Sequence, residues 1–188
     1  MKKTLLTLTL FISLFLLSSQ AQARHGFALS AFGGGLFSLT NTFPDLDIGA
    51  GGGLALDWRF NQRWALATRM SVFDHDGEEV SAGDKDMLFL NIPEALLKFH
   101  FFAEENNFDP YACVGIGLGI LTGGSQSDNS GGAGLTATVG IGADYYLNEA
   151  FSLGLSTEFK TFGLIRSDSQ SSALIFISAL GHVTWHFK

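Results

Sequence analysis

The chain has 188 residues, of which 46% are apolar and 15% charged, a composition typical of one folded domain rather than of a disordered protein. Its 18 acidic residues against 11 basic ones give a net charge of −7, so the sequence supplies no basic surface for nucleic acid and we expect no nucleic-acid partner. Cys113 is the only cysteine, which excludes an intrachain disulfide and a thiolate metal site.

The first 23 residues have the pattern of a secretory signal peptide. Lys2 and Lys3 precede an apolar run from Leu5 to Leu17, and Ala21-Gln22-Ala23 has the small-residue pattern that signal peptidase cleaves. The run is too short for a comfortable membrane-spanning helix. We predict cleavage after Ala23, so that residues 24–188 form the mature domain. Cleavage removes two of the 11 basic residues and no acidic one, which leaves 9 against 18 and a net charge of −9.

Apolar residues recur at every second position of the mature chain, which predicts strands with one apolar face. In one segment, for example, Leu153 and Leu155 alternate with Gly154 and Ser156. The same alternation predicts eight strands, near residues 25–37, 54–60, 64–72, 87–102, 111–120, 135–147, 151–161 and 173–187. The fourth contains Pro93, which cannot donate to a strand ladder, so we expect a bulge there that resets the alternation between Leu90 and Leu97.

The connections between these strands alternate between short and long. Short turns fall at residues 61–62, 104–109 and 147–149, whereas longer Gly-, Ser-, Asp- and Asn-rich loops fall at 38–47, 74–86, 122–132 and 165–171. This alternation predicts an up-and-down meander with three turns at one end, the short-turn end, and four loops at the other, the long-loop end. Both termini then lie at the short-turn end.

The distribution of charge decides which face of the strands meets water. Across seven of the strands the apolar face carries no charged residue, and the strand charges fall on the other face. A charge-free outer face would aggregate in water, whereas a basic residue at the middle of a bilayer costs about 2–4 kcal/mol. The sequence therefore predicts an all-β protein, an eight-stranded antiparallel up-and-down transmembrane β-barrel with its apolar face toward lipid.

The opposite face would line the lumen of this barrel. An eight-stranded barrel is only wide enough for side chains, so paired charges there would plug it, although a charged permeation path is the alternative. Leu174, Phe176 and Leu180 also point inward by the alternation, which suggests a partly apolar lumen near the long-loop end. The predicted lumen charges are Asp57, Arg59, Arg69, Glu94, Lys98, Asp144, Glu158, Lys160 and His182.

Aromatic residues of the charge-free face cluster near the short-turn end. Outer-membrane barrels carry girdles of aromatic residues at both membrane interfaces. We predict that the periplasmic girdle includes Trp58, Trp64, Tyr145, Phe151, Trp185 and Phe187.

Three stretches carry a resemblance to a known family: LFLNIPEALLKFHF from Leu88, FDPYACVGIGLGIL from Phe108, and VGIGADYYLNEAFSLGLSTEF from Val139. They resemble the small outer-membrane β-barrel superfamily, to which OmpX, OmpW and the OmpA membrane domain belong. The resemblance implies an outer-membrane protein of Gram-negative bacteria, surrounded by lipid and lipopolysaccharide, with both termini periplasmic. It also implies a last strand read by the barrel-assembly machinery through Val183, Trp185 and Phe187, although here Lys188 follows the terminal aromatic residue.

Catalytic and metal sites are weakly supported. The nearest approach to a nucleophile beside a base is His182-Val183-Thr184, in which threonine replaces the usual serine. The acidic segment from Asp74 to Asp86 lacks the ligand spacing of a calcium loop. We therefore expect no enzymatic activity, no cofactor and no metal.

The predicted role is envelope-structural or surface-interacting, with a charge-paired interior. The main alternative is a narrow OmpW-like conduit for small or apolar molecules. An adhesin and a lipid A-modifying enzyme are further alternatives. The sequence predicts no oligomeric state and no ligand.

Overall fold

A computed structural model describes residues 26–39, 46–77, 87–102, 106–123, 132–165 and 171–187. The predicted signal peptide lies outside these ranges. Eight strands follow in chain order: β1 (Gly26–Ser38), β2 (Leu46–Arg59), β3 (Trp64–Gly77), β4 (Met87–His100), β5 (Phe108–Gly123), β6 (Gly132–Tyr146), β7 (Phe151–Ile165) and β8 (Ser171–His186). Within the described residues, no helix is long and apolar enough to cross a membrane.

Each strand pairs antiparallel with its neighbour in sequence, and β1 pairs antiparallel with β8, so the sheet closes into a barrel. The predicted eight-stranded antiparallel up-and-down barrel is therefore confirmed. The outer surface is apolar, with side chains such as Ile116, Leu135 and Leu155 about 70% exposed. Buried side chains alternate with them and fill the interior.

The predicted bulge in β4 is confirmed. Pairing of β4 with both neighbours shifts register between Asn91 and Glu94, where two outward-facing residues, Ile92 and Pro93, stand opposite single residues of β3 and β5. Asn91 and Glu94 are both fully buried. The extra residue thus lets both halves of β4 direct their polar side chains inward.

The third strand is longer than its apolar pattern predicts. Asp74 and His75, which we assigned to a long loop, belong to β3 and pair with β2 and β4. His75 continues the inward series and is fully buried, while Asp74 is exposed on the outer face. The expectation that strand charges avoid the outer face is therefore wrong at Asp74. This exception lies close to the long-loop end, where charge costs little compared with the middle of the bilayer.

Candidate functional site: the filled lumen

The centre of the lumen holds a buried ion-pair group, the central network, made of Arg69, Glu94, Glu158 and Lys160. Nη1 and Nη2 of Arg69 donate to the two carboxylate oxygens of Glu158 at 2.7 and 2.5 Å, a bidentate pair, and its Nε donates to Oε2 of Glu94 at 2.5 Å. All three side chains are at most 7% exposed. Charged hydrogen bonds of this kind are about twice as strong as neutral ones.

Glu94 has partners besides Arg69. Its Oε2 accepts from Nζ of Lys160 at 3.2 Å and from Nδ2 of Asn91 at 3.0 Å, while the Thr138 hydroxyl donates to Oε1. Sequence reasoning missed Asn91 and Thr138, because an uncharged polar residue on the inner face does not stand out among many. The feature that could have identified them is the strand alternation, which directs both side chains into the lumen.

The part of the lumen on the short-turn side of the central network holds further polar contacts. Lys98 donates to Asp57, and its ammonium lies 5.2 Å from the ring centroid of Tyr111. Nε2 of His182 lies 2.6 Å from Oδ1 of Asp144. All these side chains come from different strands, so the contacts connect walls of the barrel that are far apart in sequence.

Nearest the short-turn end, Nη1 of Arg59 donates to Oδ2 of Asp109 at 2.7 Å, and Nδ1 of His100 lies 3.1 Å from the same oxygen. Asp109 is 1% exposed. We had placed it in a turn, but β5 begins at Phe108, so Asp109 shares the inward phase of Tyr111. With this residue, the described lumen holds five carboxylates against four Arg and Lys side chains: Asp57, Glu94, Asp109, Asp144 and Glu158, against Arg59, Arg69, Lys98 and Lys160.

Inward-facing glycines make room for these long side chains. A Cβ atom on Gly117 would lie 2.9 Å from Cβ of Glu94, and one on Gly140 would lie 2.7 Å from Cγ of Glu158. Any larger residue at either position would displace a carboxylate of the central network. The glycines of β5 and β6 thus leave space beside charged groups.

On the long-loop side of the central network the lumen is apolar. Phe89, Phe162 and Phe176 are fully buried, and the ring centroid of Phe89 lies 5.2 Å from that of Phe162 and 5.4 Å from that of Phe176. We call the full set the apolar cluster: Leu36, Phe73, Phe89, Leu121, Phe162, Leu174, Phe176 and, at its border with the polar part of the lumen, Leu180.

A small chamber separates the central network from the contacts of Lys98 and His182. Its polar lining includes Arg69, Glu158, Lys98 and His182, and water centres can occupy about 30 Å³ of it. That volume suits about two water molecules. Cys113 also lines the chamber and is 5% exposed, so the only thiol of the chain lies inside the lumen.

The six predicted girdle aromatics lie on the outer surface. They range from 37% exposed at Trp64 to 49% at Trp185. The ring centroid of Trp185 lies 6.5 Å from that of Phe151, in a stacked pair, and 4.9 Å from that of Phe187, in a tilted one. Trp58 and Tyr145 are 46% and 44% exposed. Their position at a membrane interface stays a prediction.

A sequence profile described as "outer membrane protein beta-barrel domain" matches residues 7–171. The chain belongs to this outer-membrane β-barrel family. Family membership places the protein in the outer membrane of the Gram-negative envelope, in a lipid and lipopolysaccharide environment. No curated protein sequence matches the chain significantly.

Solved structures of other barrels share this fold. Neisserial surface protein A is 13% identical with a TM-score of 0.67, over 86% of this chain and 97% of that one. Ail, the attachment invasion locus protein of Yersinia pestis, is 15% identical with a TM-score of 0.59, over 87% and 99%. OprG of Pseudomonas aeruginosa is 14% identical with a TM-score of 0.56, over 90% and 100%. At these identities the likeness concerns the fold.

In this outer-membrane barrel, the side chains we had considered for catalysis make separate contacts. The Thr184 hydroxyl lies 2.8 Å from that of Ser30, while His182 contacts Asp144. A second hydroxyl and imidazole, Ser152 Oγ and His186 Nε2, lie 2.9 Å apart, with Ser152 fully buried. The described residues contain no group of three or more His, Cys, Asp or Glu side chains that could hold a metal ion.

Proposed function

We propose that this protein is a closed outer-membrane barrel, which conducts no solute and acts through the surface that it presents at its long-loop end. Its role is then envelope-structural or surface-interacting. The observation that carries the proposal is that buried side chains fill the lumen: the central network joins β3, β4 and β7 through Arg69, and the apolar cluster lies in series with it. An eight-stranded barrel has an interior just wide enough for side chains, so such a bridge occupies it.

The conduit alternative requires a continuous path through the lumen. The apolar cluster argues against such a path, because its three phenylalanine side chains are fully buried and in contact across the lumen. The chamber beside Cys113 has room for only about two water molecules and lies between two groups of ion pairs. We therefore favour the closed barrel.

The composition of the long-loop end supports a surface role. The connecting segments 40–45, 78–86, 124–131 and 166–170 contain seven acidic residues and two basic ones, together with six serines, three glycines and two asparagines. Loops at one end of a rigid barrel are the usual carriers of recognition. The partner surface would then be neutral or cationic, or would be bridged through cations.

Conductance in planar bilayers tests the closed barrel. We expect purified mature protein to give no steady channel current, because the central network and the apolar cluster both fill the lumen. Protein that is folded, as judged by its faster migration on gels without heating, serves as the sample. Steady wild-type current under these conditions would overturn the proposal and favour the conduit.

We further propose that the short-turn end and both termini face the periplasm. An epitope tag inserted within residues 124–131 should then be detected by antibody on intact cells. The same tag inserted between Asn148 and Glu149, at a short turn, should be detected only after permeabilisation. Surface detection of the second tag with loss of the first would reverse the proposed orientation.

A further inference from the structure

We propose that the apolar cluster, and not the central network, is the permeability barrier of the lumen. This inference rests on the proposed closed barrel and assigns the closure to one layer of it. The two layers lie in series, so a solute would have to pass both. The question is which one would remain closed if the other were opened.

The apolar cluster is contributed by nearly the whole circumference of the barrel. Six of the eight strands supply large side chains that are at most 2% exposed: Leu36 of β1, Phe73 of β3, Phe89 of β4, Leu121 of β5, Phe162 of β7, and Leu174 and Phe176 of β8. The remaining two strands supply glycines against which these rings pack. A Cβ on Gly51 of β2 would lie 2.8 Å from Phe73 Cδ1, and one on Gly134 of β6 would lie 3.2 Å from Phe162 Cε2.

Water cannot enter this layer without losing hydrogen-bond partners. A buried water needs two to four polar partners, and the side chains of the cluster offer none. The rings pack together, so a file of water would have to separate them and would find no hydrogen-bond partner on their side chains. Entry of an ion would be worse, because the ion would lose its hydration as well.

The central network differs in this respect. Glu94 has four partners, Arg69, Lys160, Asn91 and Thr138, and Arg69 is shared between two carboxylates. Each group can exchange one partner for a water molecule without remaining unpaired. The chamber, which has room for about two water molecules, borders Arg69 and Glu158 directly, so water placed there would reach the network from one side.

Two sets of variants separate the layers. In the charge variant, Glu94→Gln with Glu158→Gln, both carboxylates become amides and the cations lose their counter-charges. In the cluster variant, Phe89→Ala, Phe162→Ala and Phe176→Ala remove the three rings. We expect the charge variant to stay silent in planar bilayers and the cluster variant to conduct.

Cys113 supplies a second readout, since it lies on the far side of both layers from the long-loop end. A membrane-impermeant thiol reagent added at that end should label the cluster variant at least about tenfold faster than wild type, because labelling follows the population of open lumen. The charge variant should be labelled at about the wild-type rate. Phe159→Ala, a change on the outer face of β7, is the matched control and should behave as wild type in both assays.

The outcomes are distinguishable. A conducting charge variant, or a folded cluster variant that is silent and unlabelled, would overturn this inference while leaving the closed barrel intact. Conducting wild-type protein would instead overturn the proposed function. If the triple variant does not fold, Phe162→Ala alone decides, because a folded single variant labelled at the wild-type rate also overturns the inference.

Discussion

Arg69 is the residue on which most of the central lumen depends. Its guanidinium hydrogen-bonds to both carboxylates of the central network, with a bidentate contact to Glu158 and a single contact to Glu94. Buried ion pairs often contribute little net stability compared with apolar replacements, but removing one partner leaves a buried charge uncompensated. The cost of a change at Arg69 should therefore depend on whether the carboxylates are changed too.

We predict that Arg69→Met lowers the free energy of unfolding by about 3–5 kcal/mol, since two buried carboxylates lose their shared cation. Adding Glu158→Gln to Arg69→Met should restore part of this loss. Urea unfolding in lipid vesicles, followed by tryptophan fluorescence, measures wild type, the single variants Arg69→Met and Glu158→Gln, and the double variant, which together complete a double-mutant cycle. Arg63→Met is the control, because Arg63 is exposed at a turn and its loss should change stability by less than about 0.5 kcal/mol. Additive effects of the two lumen changes would show that Arg69 and Glu158 are not coupled.

At the scale of the strand, the bulge in β4 decides which side chains reach the lumen. Ile92 and Pro93 together stand opposite Met70 of β3 and Leu118 of β5, and all four side chains face outward. Asn91 and Glu94 on either side face inward. One of these two residues is therefore an extra residue that interrupts the alternation of β4. Its removal would leave Asn91 and Glu94 facing the lumen.

We predict that deletion of Pro93 is tolerated, with a folded barrel that retains heat-modifiable migration on gels. Deletion of Ala95 is the matched comparison. It shortens the same strand by one residue but inverts the alternation on one side of the deletion, so that either Glu94 or Lys98 turns toward lipid, at a cost of about 2–4 kcal/mol for a basic residue. If both deletion variants fold equally well, the bulge does not determine which side chains of β4 face the lumen.

The strand scale also shows what sequence could and could not predict. Alternation predicted eight strands and their faces, because each residue of a strand has only two directions to point. It did not predict where β3 ends, because Asp74 and His75 have loop-like chemistry and are nonetheless paired in the sheet. It did not predict contacts either: Arg69 and Glu158 are 89 residues apart, and their meeting depends on how every intervening strand is staggered.

At the scale of the whole molecule, the barrel depends on closure between its first and last strands. These pair from Ala28 with His186 to Ser38 with Phe176, so the sheet has no free edge. The backbone N–H of Phe187 donates to the carbonyl of Phe27 at 2.8 Å, whereas the Phe187 side chain is 39% exposed on the outer surface. The backbone of this residue thus contributes to closure, while its side chain, which packs against Trp185 on the outer surface, is available for another task.

We propose that this other task is recognition by the barrel-assembly machinery, and a change at Phe187 can separate it from closure. Phe187→Ala keeps the backbone hydrogen bond and removes only an outward ring, so purified protein should refold into detergent or lipid with nearly wild-type yield. In cells, however, the amount of folded protein in the outer membrane should fall severalfold, as measured by heat-modifiable migration of membrane fractions. Phe101→Ala, another outward aromatic change at the short-turn end, is the control and should not reduce assembly. If Phe187→Ala protein accumulates normally in cells, the last aromatic residue is not the signal; if it also fails to refold when purified, its ring is needed for the barrel itself.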